Sequence, residues 1–223
     1  MTIMLSLKTL LKGEAQPSGQ AIYFAIVGGN FVAWLIVSLL LYMSLAPYSM
    51  LTNAISNLGN PTLNPRGWLF FSVAMVSTGV LAIPHVLWID KTIGKLSRPH
   101  ARVQATFMAI AAIGMVGVGL FNETILYPHY FFAALAFGGL GADMFLTTVT
   151  MAIQIVLKMQ WPRLADYVVF MAILYSVGAW MIYKIATNHG GERGLDIVEW
   201  VLFLCLFGWL VGYIVVIAHS RSL

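Results

Sequence analysis

Between Glu14 and Arg66 the chain carries no charged side chain at all. The segment begins with an apolar run over residues 21–45. A helix needs roughly 20 such residues to cross the hydrocarbon of a bilayer. The run passes into a polar but uncharged stretch, Asn53-Ala-Ile-Ser-Asn-Leu-Gly-Asn-Pro-Thr-Leu-Asn-Pro65. That stretch is too polar to prolong a span and too poor in charge for an ordinary solvated loop. It therefore points to one face where polar groups gather.

The rest of the chain fits this reading. Of its 223 residues 60% are hydrophobic and 9% charged, and the mean hydropathy is +0.87, whereas a soluble domain is about one quarter charged. The fold class predicted is all-α, a single polytopic domain over 1–223. Six spans are expected at about 21–45, 67–89, 104–126, 130–157, 167–186 and 197–218, behind an N-terminal interfacial segment at 1–20. The lone cysteine, Cys205, excludes an intrachain disulfide. The pI of 9.3 does not imply nucleic acid, because the basic residues lie in short connections. With the N-terminus inside, Lys8, Lys12, Lys91, Lys95, Arg98, Arg102, Lys158, Arg163 and Arg221 fall on the cytoplasmic side. Arg66, Lys184 and Arg193 fall on the other, a nine-to-three division of the twelve basic residues. The positive-inside rule then puts both termini in the cytoplasm of a cell-membrane protein.

Polar groups inside spans are costly and are weighed one by one. Asp143, in Gly138-Gly-Leu-Gly-Ala-Asp143, is predicted near or past the middle of the fourth span. It is either a proton-relay or ligand-binding group, or a neutral acid bonded to Thr147, Tyr175 or Ser176. Asn30 and Gln154 are read as interhelical hydrogen-bonding groups. Pro84 should kink the second span, with His85 bonding a freed carbonyl. Trp68, Trp88, Trp161 and Trp200 at span ends fit an aromatic belt.

The second constellation is the hairpin Gly119-Leu-Phe-Asn-Glu-Thr-Ile-Leu-Tyr-Pro-His129. Glu123 and His129 flank its turn at the depth of Ser56, Asn57 and Asn60. Ser56 as nucleophile, His129 as base and Glu123 as orienter would make a catalytic set. Asn57, Asn60, Asn122 and Asp143 are candidate ligand-binding residues. Zinc ligation by the acid and imidazole is an open alternative at this stage, though no metal-binding motif supports it. Helix capping and loop docking by Glu123 and His129 is the plainer alternative. No cofactor is identifiable.

Two motifs carry a resemblance. Ala54-Ile-Ser-Asn-Leu-Gly59 with Asn64-Pro-Arg-Gly-Trp-Leu-Phe-Phe71, and Glu123 to His129 with Tyr-Phe-Phe-Ala-Ala-Leu-Ala-Phe-Gly-Gly139, resemble a family of prokaryotic six-helix membrane proteins of unknown function. That family is itself similar to the eukaryotic Frag/DRAM/Sfk group. The resemblance covers the first four helices and implies an outward-facing polar pocket and a link to lipid handling. It carries Ser56, Gly59, Glu123 and His129 across. Asn57 stands where the eukaryotic relatives more often have an acid, so no carboxylate is implied in that loop.

Three functions are expected in order. The first is a protein that binds or modifies membrane lipids at its extracytoplasmic face. The second is an accessory subunit packed against other membrane subunits. The third is a small-solute or proton transporter using Asp143, against which stands the lack of an internal repeat.

Overall fold

A computed structural model describes residues 7–95, 97–158, 169, 171–178 and 192–219. Among them there are helices and connections and no strand. Five helices are long and apolar enough to cross a membrane: 17–43, 68–95, 98–120, 126–150 and 196–215. The span expected near 167–186 lies largely outside the described residues, of which 171–178 are helical.

Helix α1 (Leu7–Leu11) is a short N-terminal helix. Gly13 follows at φ +66, and a Cβ there would sit 2.5 Å from the Leu87 carbonyl carbon. Only glycine permits both that backbone and that approach. Beyond it Lys91 pairs with Glu14 at 2.9 Å, and this hydrogen bond holds the Glu14 carboxyl below its ordinary range. Helix α2 (Pro17–Met43) opens on Pro17, which costs nothing at a first turn whose N–H groups lack partners.

The second span is broken. Helix α3 (Trp68–Leu81) ends at Ala82, and α4 (Ile83–Thr92) carries Pro84 in its first turn. The His85 N–H bonds Ala82 O at 3.0 Å. The carbonyl of Leu81 instead accepts from Tyr23 Oη at 2.8 Å. The expected role of His85 is thus taken by Tyr23. The His85 ring is fully buried and its Nδ1 faces Gln20 Nε2 at 3.1 Å.

Helix α5 (Arg98–Leu120) and α6 (Leu126–Lys158) form a hairpin, the most extensive helix pair among the described residues. Small residues set its closeness. A Cβ on Gly139 would lie 2.7 Å from Ala111 N, and one on Gly114 would overlap the Ala136 backbone. This is the small-residue packing that membrane helices use in place of a hydrophobic drive between them. Helix α7 (Glu192–His219) packs against α2. Asn30 joins α2 to α3 through Ser77 Oγ at 2.9 Å and accepts from Trp34 Nε1 at 3.0 Å. The side chain of Gln154 lies outside the described residues.

Large apolar side chains cover the outside: Ile26, Ile36, Leu40, Leu69, Ile113, Leu120 and Val215 are all about half exposed. In water such a shell would be an aggregation surface; against lipid it carries no cost. Two of the tryptophans expected in an aromatic belt are internal ties instead. Trp88 is fully buried and donates to Ala15 O at 3.0 Å, and Trp200 donates to Asn53 O at 2.9 Å.

Residues 44–67 close the end of the bundle opposite Lys91. Within them a 3-10 turn, Ile55–Gly59, tucks Ile55 and Leu58 among Leu35, Tyr42, Phe71 and Trp200. A loop at this depth must satisfy its own backbone. Asn64, 0% exposed, does so: its Nδ2 donates to Leu58 O at 2.9 Å, Ser38 Oγ at 3.1 Å and Ser38 O at 3.2 Å, while its Oδ1 accepts from Gly67 N at 3.0 Å. Replacing it orphans buried groups, each worth about 1–3 kcal/mol. Asn64→Ala is therefore expected to lower unfolding stability in detergent by about that amount or more. Leu63→Ala, on the exposed side of the same loop, should change it by less than about 0.5 kcal/mol.

Candidate functional site

The loop, the α5–α6 turn and the start of α7 meet at one end of the bundle. The α5–α6 turn presents Glu123, which accepts from Asn60 Nδ2 at 3.1 Å. With its amide nitrogen turned toward the carboxylate, Asn57 donates to the same group at 3.1 and 3.2 Å. Glu123 thereby draws the 3-10 turn onto the hairpin. Its bonds go to these two amides. The orienting partner of His129 is the Phe121 carbonyl, 2.8 Å from Nδ1. Because a carbonyl only accepts, Nδ1 carries the proton and Nε2 is left as the acceptor.

Ser56 does not pair with His129. Its backbone N–H donates to Glu199 Oε2 at 3.2 Å, and its side chain also bonds that carboxylate. Glu199 and His129 interact electrostatically as well. The arrangement thus differs from the serine–histidine–acid order expected from the sequence. Serine bonds an acid, and the histidine acts on that acid through its charge. Glu199 was not among the residues singled out, although it is the one charged residue inside the predicted last span. An acid alone in an apolar span was the available signal.

Asn122 has a local role: its Oδ1 accepts from Thr124 N at 3.1 Å and from Thr124 Oγ1, closing the turn. Asp143 lies elsewhere, fully buried on α6 against α5. Among the described residues no three His, Cys, Asp or Glu side chains converge as metal ligands.

Below Ser56, His129 and Glu199 a cavity of about 160 Å³ runs down the centre of the bundle. Beyond those three, its walls are almost wholly apolar: Phe31, Phe71, Met75, Ala133, Phe137 and Leu206 are among them, with Thr78 the only other polar side chain among the described residues apart from the indole of Trp209. From His129 to Leu140 on α6, both lining it, is eleven residues, or about 16 Å of helix. A space with walls of this kind favours apolar guests. Polar groups are gathered at its mouth.

Tyr48 braces the mouth from the loop. Its hydroxyl donates to Ala54 O at 2.8 Å and accepts from Trp200 Nε1 at 3.2 Å. Burial pushes the Tyr48 phenol above its ordinary range, with Glu199 and Asp196 adding to the effect.

A helical bundle with a lipid-exposed apolar surface and a polar-mouthed cavity defines an integral membrane protein. The chain belongs to the family described as protein of unknown function (DUF998), whose model matches residues 14–216. No curated protein and no solved structure matches the chain.

The Tyr48 phenol is raised in the folded state, so its neutral form stabilises the fold below the ordinary tyrosine value of about 10. That contribution is lost as pH rises toward and through the higher folded value. Wild-type stability is expected to fall as pH climbs above about 10, and Tyr48→Phe should flatten the decline. Unfolding curves in detergent across alkaline pH measure this.

Proposed function

We propose that this protein binds a membrane lipid, with an acyl chain in the central cavity and the head group at Ser56, Asn57, Asn60, Glu123, His129 and Glu199. The observation that carries the reading is the gradient within one continuous site. Hydrogen-bonding groups and ionisable side chains sit at the mouth, and beneath them lies a narrow apolar channel. An amphipathic molecule matches that gradient, whereas a small polar solute has almost nothing to bond below the mouth. The site opens beside the bilayer that supplies such molecules, and burial of each methylene contributes about 0.8 kcal/mol.

Orientation belongs to the same proposal. The nine-to-three division of basic residues favours a cell-membrane protein of six spans with both termini cytoplasmic, which makes the mouth extracytoplasmic. The motifs around Ser56 and His129 resemble the Frag/DRAM/Sfk group, and a lipid-related role is what that resemblance implies. Chemistry on the bound lipid is a further step of this reading. Ser56 is then the nucleophile, Glu199 its proton acceptor, and His129 Nε2 a second acid–base group.

Native mass spectrometry of the protein extracted in mild detergent tests the proposal. The wild type is expected to retain one lipid. Ala133→Trp, which fills the cavity, should lose that lipid while keeping its melting midpoint, and His129→Ala should lower occupancy several-fold. A wild type that carries no lipid, or a filled variant that carries as much as wild type, would overturn it.

A further inference from the structure

The central cavity holds a second polar point well below its mouth. On α3 its wall is made by Phe71, Met75 and Thr78, with Ala82 just past the helix end. Spacings of four, three and four residues put all four on one face, so Thr78 points the same way as the apolar side chains that line the space. On α7 Glu199, Phe203, Leu206 and Leu210 form the matching face, and the indole of Trp209 flanks it. Thr78 lies seven residues from Phe71, about 10 Å of helix. Trp209 lies ten residues from Glu199, about 15 Å of helix. Both groups therefore sit in the part of the cavity whose other walls are apolar.

Neither group is satisfied. The Thr78 Oγ1 and the Trp209 Nε1 are buried and have no hydrogen-bond partner among the described residues. A helical threonine commonly returns its hydroxyl to the carbonyl three or four residues back. Thr106, Thr148 and Thr150 each do so, at 2.8, 2.8 and 2.9 Å. Thr78 does not. The tryptophans show the same contrast. Trp34, Trp88 and Trp200 each donate from Nε1 to an oxygen within the protein. Trp209 is 2% exposed, its ring fixed by stacking on Tyr213 with centroids 5.4 Å apart, and its N–H goes unused. A buried donor left unfilled carries a desolvation cost, and neither group ties one helix to another in return.

We infer that the cavity takes a chain bearing an oxygen, as a ketone or hydroxyl, partway along its length, with Thr78 and Trp209 as the groups that hydrogen-bond it. The inference rests on the lipid reading of the cavity and narrows it from any acyl chain to an oxygenated one. An indole N–H only donates, so the guest must carry an acceptor there. The Thr78 hydroxyl donates to a ketone, and it donates to or accepts from a hydroxyl. A charged group does not fit this depth, because burying it without a counter-charge is far costlier. The ionisable side chains lining the cavity among the described residues, His129 and Glu199, are at the mouth. A plain hydrocarbon chain would leave both donors unfilled. The helix spacings set the oxygen about 10–15 Å from the head group.

Competition native mass spectrometry of the full-length protein in mild detergent tests this. The two probes are a stearoyl monoacylglycerol and the same lipid with a ketone midway along its chain. The wild type is expected to favour the ketone lipid by about fivefold or more, the scale of one or two net hydrogen bonds. Thr78→Val and Trp209→Phe, which remove the polar atom and keep most of the shape, should each cut that preference by about twofold or more. Lipid-free Thr78→Val should melt no lower than wild type, because the lost hydroxyl bonded nothing. Equal binding of the two lipids by the wild type would overturn the inference and leave the cavity reading standing. A preference that survives in both variants would also overturn it. A wild type that binds neither lipid would overturn the cavity reading and this inference with it.

Discussion

The fold depends on how an uncharged loop closes one end of a bundle where water cannot satisfy its backbone. Residues 44–65 have no charge to hold them at the surface, and their amides must find partners inside the protein. Asn64 supplies four hydrogen bonds from one side chain, tying the loop to α2 through Ser38 and to its own 3-10 turn through Leu58. Tyr48 and Trp200 tie it to α7, and Glu123 ties it to the α5–α6 hairpin through Asn57 and Asn60. With the loop fixed in this way, Ser56 is delivered to Glu199 and a roof is placed over the cavity.

The same constraint explains why the mouth is polar and the interior is not. Ser56 and Glu199 join the loop to α7 and also line the cavity, so the fold and the proposed site share side chains. The plainer expectation, that Glu123 docks the loop, and the functional one, that it belongs to a site, describe one geometry. Deeper in the bundle nothing requires polar groups. The walls there are mostly Phe, Met, Ala and Leu.

Sequence reasoning reached the helical membrane class, and it set the polar loop and the Glu123–His129 turn on one face. These follow from the length of apolar runs and from alternation of sides, which are local properties. It missed who bonds whom. Glu199 is 143 residues from Ser56, and no spacing rule links a loop after the first span to the top of the last. The Tyr23 bond to Leu81 O likewise depends on how α2 crosses a broken helix. Trp88 and Trp200 were legible as span-end residues, but their inward direction depends on the rotation of each helix. Asp143 was legible as a buried acid. Its neighbour Gln104 became visible only when α5 was laid against α6.

The most direct measurement is photocrosslinking with a lipid that carries a diazirine at the end of one acyl chain, followed by peptide mapping. If the cavity holds that chain, labels concentrate on its inner wall at Phe137, Leu140 and Leu206, and Ala133→Trp abolishes them. Labels confined to the outward-facing residues Ile36, Leu40 and Ile113, unchanged by Ala133→Trp, would mean that lipid only coats the bundle and that the cavity is not its site.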